Sequence, residues 1–189
     1  MSEWNKKRDV MRNYNLTAHL YDMRYAEEQK VKFEAIFKNL KLKEKSLILD
    51  VGCGTGLLFN YIADKAETVI GLDISKKTLF EACKRWKKFS NLQFILADAD
   101  NIPFKDGVFT HVFAVTLIQN MPYPIRTLRE IKRVTVNEGF IAVTVLKKTF
   151  SPERFIELLR KAGLKIVALE VDGEKLKGYV AVCKVSNLT

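Results

Sequence analysis

The chain has 189 residues, 48% of them hydrophobic and 29% charged, the proportions of one globular domain able to bury a core. It contains no run of about 18 apolar residues, and no apolar signal core follows the opening MSEWNKKRDVMRNYN, so neither a transmembrane helix nor secretion is expected and the chain reads as cytoplasmic. The formal net charge of +10 favours an anionic partner, nucleic acid first, although abundant Lys and Glu also suit an ion-paired surface.

Residues 1–43 read as a helical cap of the same domain, ahead of a core over 44–189. Residues 10–25 mix Tyr14, Tyr21 and Tyr25 with Arg12 and Arg24. Residues 27–40 place Val31, Phe33, Ile36, Phe37 and Leu40 at helical spacing, which predicts an amphipathic helix. The three tyrosines fit either packing under a helix or contact with a ligand. Residues 46–56, SLILDVGCGTG, carry the organising motif. Leu47, Ile48, Leu49 and Val51 form the short apolar run of a parallel strand covered on both faces. Asp50 lies near its end. Gly52, Cys53, Gly54, Thr55 and Gly56 then let the backbone turn sharply and pass close to a ligand, and residues 57–63 continue as a helix. Strand, glycine turn and helix together open a Rossmann-type nucleotide crevice. The spacing is G-x-G-x-G, with Leu57 where a third dinucleotide glycine would stand.

On these residues, LDVGCGTG resembles the first motif of class I S-adenosylmethionine-dependent methyltransferases, with a methyltransferase domain of the ubiquinone-biosynthesis-like type. The resemblance implies S-adenosylmethionine as cofactor. It also implies an α/β fold: a Rossmann-like, seven-stranded, mostly parallel sheet with helices on both faces and a C-terminal antiparallel hairpin. N-terminal helices would lie over the carboxyl edge of the sheet, closing the cofactor site and helping to form the substrate pocket. Tyr21 then joins Asp50, Gly52, Cys53, Gly54 and Gly56 as an expected cofactor contact.

Residues 68–73, TVIGLD, form the second strand and end in Asp73. A carboxylate here can accept both ribose hydroxyls side by side. The other reading is a helix N-terminal carboxylate beside Ser75, an N-cap. Ile74 joins the cofactor wall. Residues 75–89 predict a helix with Leu79, Ala82, Cys83 and Trp86 inward, and a solvated face of Lys76, Lys77, Lys84, Arg85, Lys87 and Lys88. Residues 91–97 form the third strand. The resemblance then puts Asp98 near the adenine amine and the Ala99 N–H on a ring nitrogen, while Asp100 reads as surface. Residues 101–107, NIPFKDG, match the family's loop before strand four, where Pro103 and Gly107 suit a tight connection. Strand four is 109–115, and its end, Val115, faces the cofactor.

The choice of acceptor turns on the next loop. Asn120-Met-Pro-Tyr123 is similar to the amide-Pro-Pro-aromatic motif of methyltransferases that act on base amines. There the amide accepts the amine hydrogens and the ring stacks on the base; here it begins about five residues past the expected register. Residues 119–124 also fit the frame of the small-molecule methyltransferases, with Gln119 and Asn120 in place of the usual histidine pair. Residues 122–134 predict a helix with Leu128 and Ile131 inward and Arg126, Arg129, Lys132 and Arg133 outward. Glu138-Gly139 marks a turn into strand 140–146. Lys147 and Lys148 stand just past that strand's carboxyl end, the edge where open α/β sheets bind ligands. Ser151 caps a helix over 151–162 that stops at Gly163. Strands 164–171 and 176–185 close the chain as a hairpin around 172–174.

Cys53, Cys83 and Cys183 are odd in number and lack metal-ligand spacing, so they read as reduced thiols. His19 and His111 are too few for a zinc site, and no metal is expected. The resulting expectation is in-line methyl transfer with Asn120 and Tyr123 as catalytic candidates. Arg12, Arg24, Gln119, Lys147 and Lys148 are the substrate contacts. A base amine of RNA is the first acceptor expected, a small molecule the alternative, with a protein substrate or a non-catalytic binding role behind them. An activating protein partner stays open.

Overall fold

The computed structural model describes residues 3–186, apart from the side chains of His19 and Tyr21. Among these residues one sheet of seven strands forms: β1 (Leu47–Val51), β2 (Thr68–Asp73), β3 (Leu92–Leu96), β4 (Phe109–Val115), β5 (Thr135–Leu146), β6 (Lys165–Glu170) and β7 (Gly178–Lys184), in the order β3-β2-β1-β4-β5-β7-β6. The first five strands run parallel, and β7 lies antiparallel between β5 and β6. This is the expected α/β, Rossmann-like, mostly parallel sheet with a C-terminal antiparallel hairpin. Strand order reverses between β1 and β4, and a crevice opens there at the carboxyl ends.

Alternation explains why β1 is apolar along its length. Ile48 packs with Phe33, Ile36, Phe59, Ile62, Leu79 and Trp86 on one face of the sheet. Leu49 and Val51 pack with Leu128, Ile131, Phe155 and Leu159 on the other. Each such side chain contributes roughly 1.5–3 kcal/mol when fully buried. The first face is covered by α2 (Tyr21–Asn39), α3 (Phe59–Ile62) and α4 (Lys76–Trp86). The second is covered by α5 (Pro124–Val134) and α6 (Pro152–Lys161). Ser75 and Ser151 cap α4 and α6 by accepting from Thr78 N and Arg154 N, both at 3.3 Å.

Four elements differ from the sequence expectation. The cap is two helices, α1 (Glu3–Thr17) and α2, joined by a 3-10 turn at Ala18–Leu20. Helix α3 is a single turn, because the backbone is still turning through residue 58. Strand β5 begins at Thr135, and the turn expected at 138–139 is a bulge within it: Glu138 has φ 62° and the pairing with β4 shifts between Phe109 and His111. Cys83 on α4 is exposed rather than inward.

Helix α1 crosses the carboxyl edge of the sheet. Asn15 Oδ1 accepts from Ser75 Oγ at 2.7 Å and Lys77 N at 3.2 Å, and Lys6 Nζ donates to Met121 O at 2.9 Å. Asp22 at the start of α2 accepts from Thr55 Oγ1 at 2.5 Å and pairs with Arg85. These bonds tie the helical cap to both sides of the crevice. No described helix is long and apolar enough to cross a membrane.

Candidate active site

The glycine turn is fastened to the end of β2. Gly52 N and Cys53 N both donate to Leu72 O, at 2.7 and 3.0 Å, and Gly54 N donates to Asp73 Oδ2 at 2.8 Å. Only glycine fits two of its positions. Gly56 has φ 79°, and a Cβ there would stand 2.7 Å from Phe59 Cδ2 and 2.8 Å from Trp86 Nε1. Gly52 has φ 76°, and its Cβ would meet Leu117 Cδ1 at 3.0 Å. The turn therefore lies flat against the sheet and opens a cleft beside it of about 690 Å³, counting the open space at its mouth. Gly52, Gly54, Asp73, Ile74, Asp98, Ala99 and Val115, all expected cofactor contacts, line this cleft. Gly56 supports the turn from behind. Asp50 and Cys53 line a smaller side cavity with Gly52, Val115 and Gln29. The Tyr21 side chain lies outside the described residues.

Two carboxylates divide the cleft. Asp73 accepts from Gly54 N and, through Oδ1, from Ser75 N at 2.8 Å. Burial pushes its pKa up, and those N–H groups oppose the rise. So the helix-terminal role and a ligand-facing position coexist in one side chain. Asp50, at the end of β1, is 3% exposed, and burial, with Asp73's charge adding to it, pushes its pKa up to about 8. Asp98 accepts from Asp100 N at 3.0 Å through Oδ1. Its Oδ2 receives Lys7 Nζ at 2.7 Å.

Lys7 is a residue that the sequence reading missed. It is 5% exposed and reaches from α1 into the cleft wall. Its ammonium also lies 2.6 Å from Asp100 Oδ2 and 3.2 Å from Glu3 Oε1. Burial works against that charge, but the bonds to Asp100, Asp98 and Glu3 outweigh it and raise the Lys7 pKa. Asp100, expected on the surface, is buried and accepts from Thr127 Oγ1 at 2.5 Å. It is the anchor of this clamp.

At the end of β4 the backbone is strained. Thr116 has φ 60°, which is unfavourable for a β-branched residue. Hydrogen bonds hold all three of its polar groups. Its N donates to Thr144 Oγ1 at 2.9 Å. Its Oγ1 receives Lys32 Nζ at 3.0 Å and Gln29 Nε2 at 3.2 Å. Its carbonyl receives Gln119 Nε2 at 2.7 Å and Asn120 Nδ2 at 3.3 Å. Lys32 is fully buried; burial lowers its pKa, and a 2.7 Å bond to Glu28 opposes that. This network holds the strained residue in place at the strand's carboxyl end.

Thr116, Tyr14 and Asn120 line both the cleft and a second cavity of about 1060 Å³, counting the space at its mouth. Gln119, Lys147 and Lys148, expected substrate contacts, line that second cavity, with Tyr25, Glu28 and Lys177. Asn120 donates to the Tyr14 hydroxyl at 3.2 Å, and burial raises the Tyr14 pKa, so the phenol stays protonated. Three expected residues stand apart. Arg12 and Arg24 are exposed and line neither cavity. Tyr123 is 57% exposed and faces a separate surface hollow with Asp100, Arg126, Glu130 and Arg133. Pro122 and the start of α5 carry it away from Asn120, so the two do not form one amide-aromatic grip. Among the described residues, no group of three or more His, Cys, Asp or Glu could hold a metal ion.

Comparison with known proteins agrees with this geometry. The methyltransferase domain family matches residues 49–143, half of the chain. The chain is 28% identical over 155 residues to the malonyl-[acyl-carrier protein] O-methyltransferase of Marinomonas sp., covering 81% of this chain and 57% of that protein. It spans about half the length of the curated relatives it matches. In fold it resembles a chain of the complex between the Haloferax volcanii Trm112 methyltransferase activator and its methyltransferase, with TM-score 0.82, 17% identity and coverage of 96% and 98%. It also resembles a SAM-dependent methyltransferase from Aquifex aeolicus, with TM-score 0.72, 20% identity and coverage of 81% and 89%. With the family matched from β1 into β5 and the cleft built by the same motif, the chain belongs to the methyltransferase domain family of class I, the S-adenosylmethionine-dependent type.

Proposed function

We propose that this chain transfers a methyl group from S-adenosylmethionine to a small-molecule acceptor held in the second cavity. One observation carries the reading: the two cavities meet at Tyr14, Thr116 and Asn120. A donor in the first and an acceptor in the second would face each other across that wall. When bound, the cofactor would supply a methyl carbon activated by its positively charged sulfur, and in-line attack by an acceptor lone pair would leave that sulfur as a neutral thioether. The protein's task is alignment.

The donor groups in the cleft fit that cofactor. Asp73 would suit a ribose diol, and Asp98 with the Ala99 N–H the edge of an adenine. Leu72, Ile74, Ala97 and Leu117 supply apolar walls. Asp50, in the side cavity beside Gly52, suits the ammonium of the methionine end. The Thr116 network would hold the carbonyl and the Asn120 amide against the reacting atoms.

An RNA acceptor is the second reading, supported by the net charge of +10. The small-molecule reading is stronger for two reasons. Asn120 and Tyr123 line different cavities, and Arg12 and Arg24 do not line the cavity that holds Lys147 and Lys148. The curated relative named above acts on malonyl-[acyl-carrier protein] by its name, which is no nucleic acid. The likeness to a methyltransferase solved with an activator also supports a protein partner for this chain.

Calorimetry and labelling test the reading. Asp73→Ala removes charged hydrogen bonds and is expected to weaken S-adenosylmethionine binding by about tenfold or more; unchanged affinity would place the cofactor elsewhere. With methyl-tritiated cofactor, label should enter a metabolite extract. Label confined to methylation-stripped RNA would replace this reading with the second.

A further inference from the structure

Lys147 and Lys177 sit at the open end of an antiparallel pair. Their neighbours Leu146 and Gly178 are in register, and Lys147 N donates to Lys177 O at 3.1 Å. Lys148 follows directly. Three cations are thus gathered at one edge, where like charges across strands repel. Lysines 7, 32, 38, 84, 161 and 184 are all ion-paired, whereas none of these three pairs with a described carboxylate. All three line the second cavity. Glu28 is the carboxylate in that wall, and Lys32 already neutralises it at 2.7 Å. The cavity therefore carries a net positive field beside an apolar lining of Tyr14, Tyr25 and Leu146.

Gln119 adds a second signal. The atom 2.7 Å from Thr116 O must be its amide nitrogen, which fixes the other atom as Oε1. That oxygen is buried and has no donor among the described residues. A buried acceptor left unmatched is unfavourable, and because Gln119 lines the second cavity, a turn of its side chain would offer this oxygen to a ligand N–H or O–H.

We propose that the methyl acceptor is an anionic small molecule: an apolar body bearing a carboxylate or phosphate that Lys147, Lys148 and Lys177 receive, and an N–H or O–H that Gln119 accepts. The proposal rests on the methyl-transfer reading and names its substrate class. The acceptor's lone pair forms the new bond to carbon, the carbon–sulfur pair stays on sulfur, and the acceptor proton passes to water.

The test is to separate a metabolite extract on an anion exchanger and to incubate each fraction with the protein and methyl-tritiated S-adenosylmethionine. Label is expected from the retained fraction. The triple variant Lys147→Met, Lys148→Met, Lys177→Met should raise KM for that fraction at least about tenfold, with cofactor affinity within about twofold, and KM should rise with salt. The triple Lys→Arg variant should restore binding, which separates lost charge from lost folding. Acceptor activity only in the unretained fraction, or an unchanged KM in the Met variant, overturns the proposal. Label on RNA alone also overturns it and points to a polynucleotide. No label on anything, with cofactor binding intact, refutes the methyl-transfer reading itself and the proposal with it.

Discussion

Lys7→Met is the sharpest probe of how the cap meets the core. The substitution keeps much of the apolar stem and removes an ammonium that touches Asp98, Asp100 and Glu3 at 2.7, 2.6 and 3.2 Å. Asp100 is fully buried, and its remaining bond, from Thr127, does not neutralise it. Stripping one partner from a buried pair costs about 3–5 kcal/mol. Asp98 is partly exposed and water can recover it, so the lower end, about 3 kcal/mol, is the expected loss. With a urea m-value of about 2 kcal/mol/M, the midpoint should fall by about 1.5 M. Part of the loss can be taken as local undocking of α1, which trypsin would report as faster cleavage at Arg8 and Arg12. Adding Asp100→Asn keeps an acceptor for Thr127 and deletes the stranded charge, so the double variant should recover at least about 1 kcal/mol. A stability loss under about 0.5 kcal/mol with unchanged trypsin cleavage, or simple additivity of the two substitutions, would refute the clamp.

Two further outcomes follow from the glycine turn and the carboxylate before it. Asp50 has a folded-state pKa of about 8, above its unfolded value, so it favours the fold most below its unfolded pKa and that contribution is lost as pH rises through about 8. Thermal melts should show the slope, at most about 1.4 kcal/mol per pH unit, and Asp50→Asn should flatten it; an unchanged slope would mean another group sets it. Gly56→Ala forces a left-handed alanine onto Phe59 and Trp86, and a loss of about 2 kcal/mol or more is expected in urea unfolding. A neutral result there would mean the turn can be rebuilt without a glycine.

What the sequence disclosed was local, and what it concealed was long-range. The strands β2 and β4 and the helix α6 end where spacing, caps and glycines predict, because those signals act within a few residues. Asp73 and Asp98 could be singled out because one ends β2 and the other follows two residues after the end of β3. Asp100 was not: its partner Lys7 comes from the opposite side of the whole β1–β3 segment, on a helix whose apolar residues have no clear stripe. Nothing in Val115-Thr116-Leu117 announces a left-handed threonine, since the groups that hold it come from α2, β5 and the loop after it. Tyr123 was misplaced for the opposite reason: a short motif was given a geometry that the chain direction into α5 does not permit.

The same contrast explains the lysines. Lys147 and Lys148 could be singled out because they follow a strand's carboxyl end, where open sheets bind ligands. Lys177 reads as one more polar residue until the antiparallel register of β7 on β5 sets it beside Lys147. Net charge alone could not choose between a polynucleotide and a small anion. A track for RNA needs cations spread along the surface, whereas Lys147, Lys148 and Lys177 share one cavity. Gathering three cations at the mouth of one cavity, next to the wall shared with the first cleft, is the arrangement that a single bound anion would stabilise.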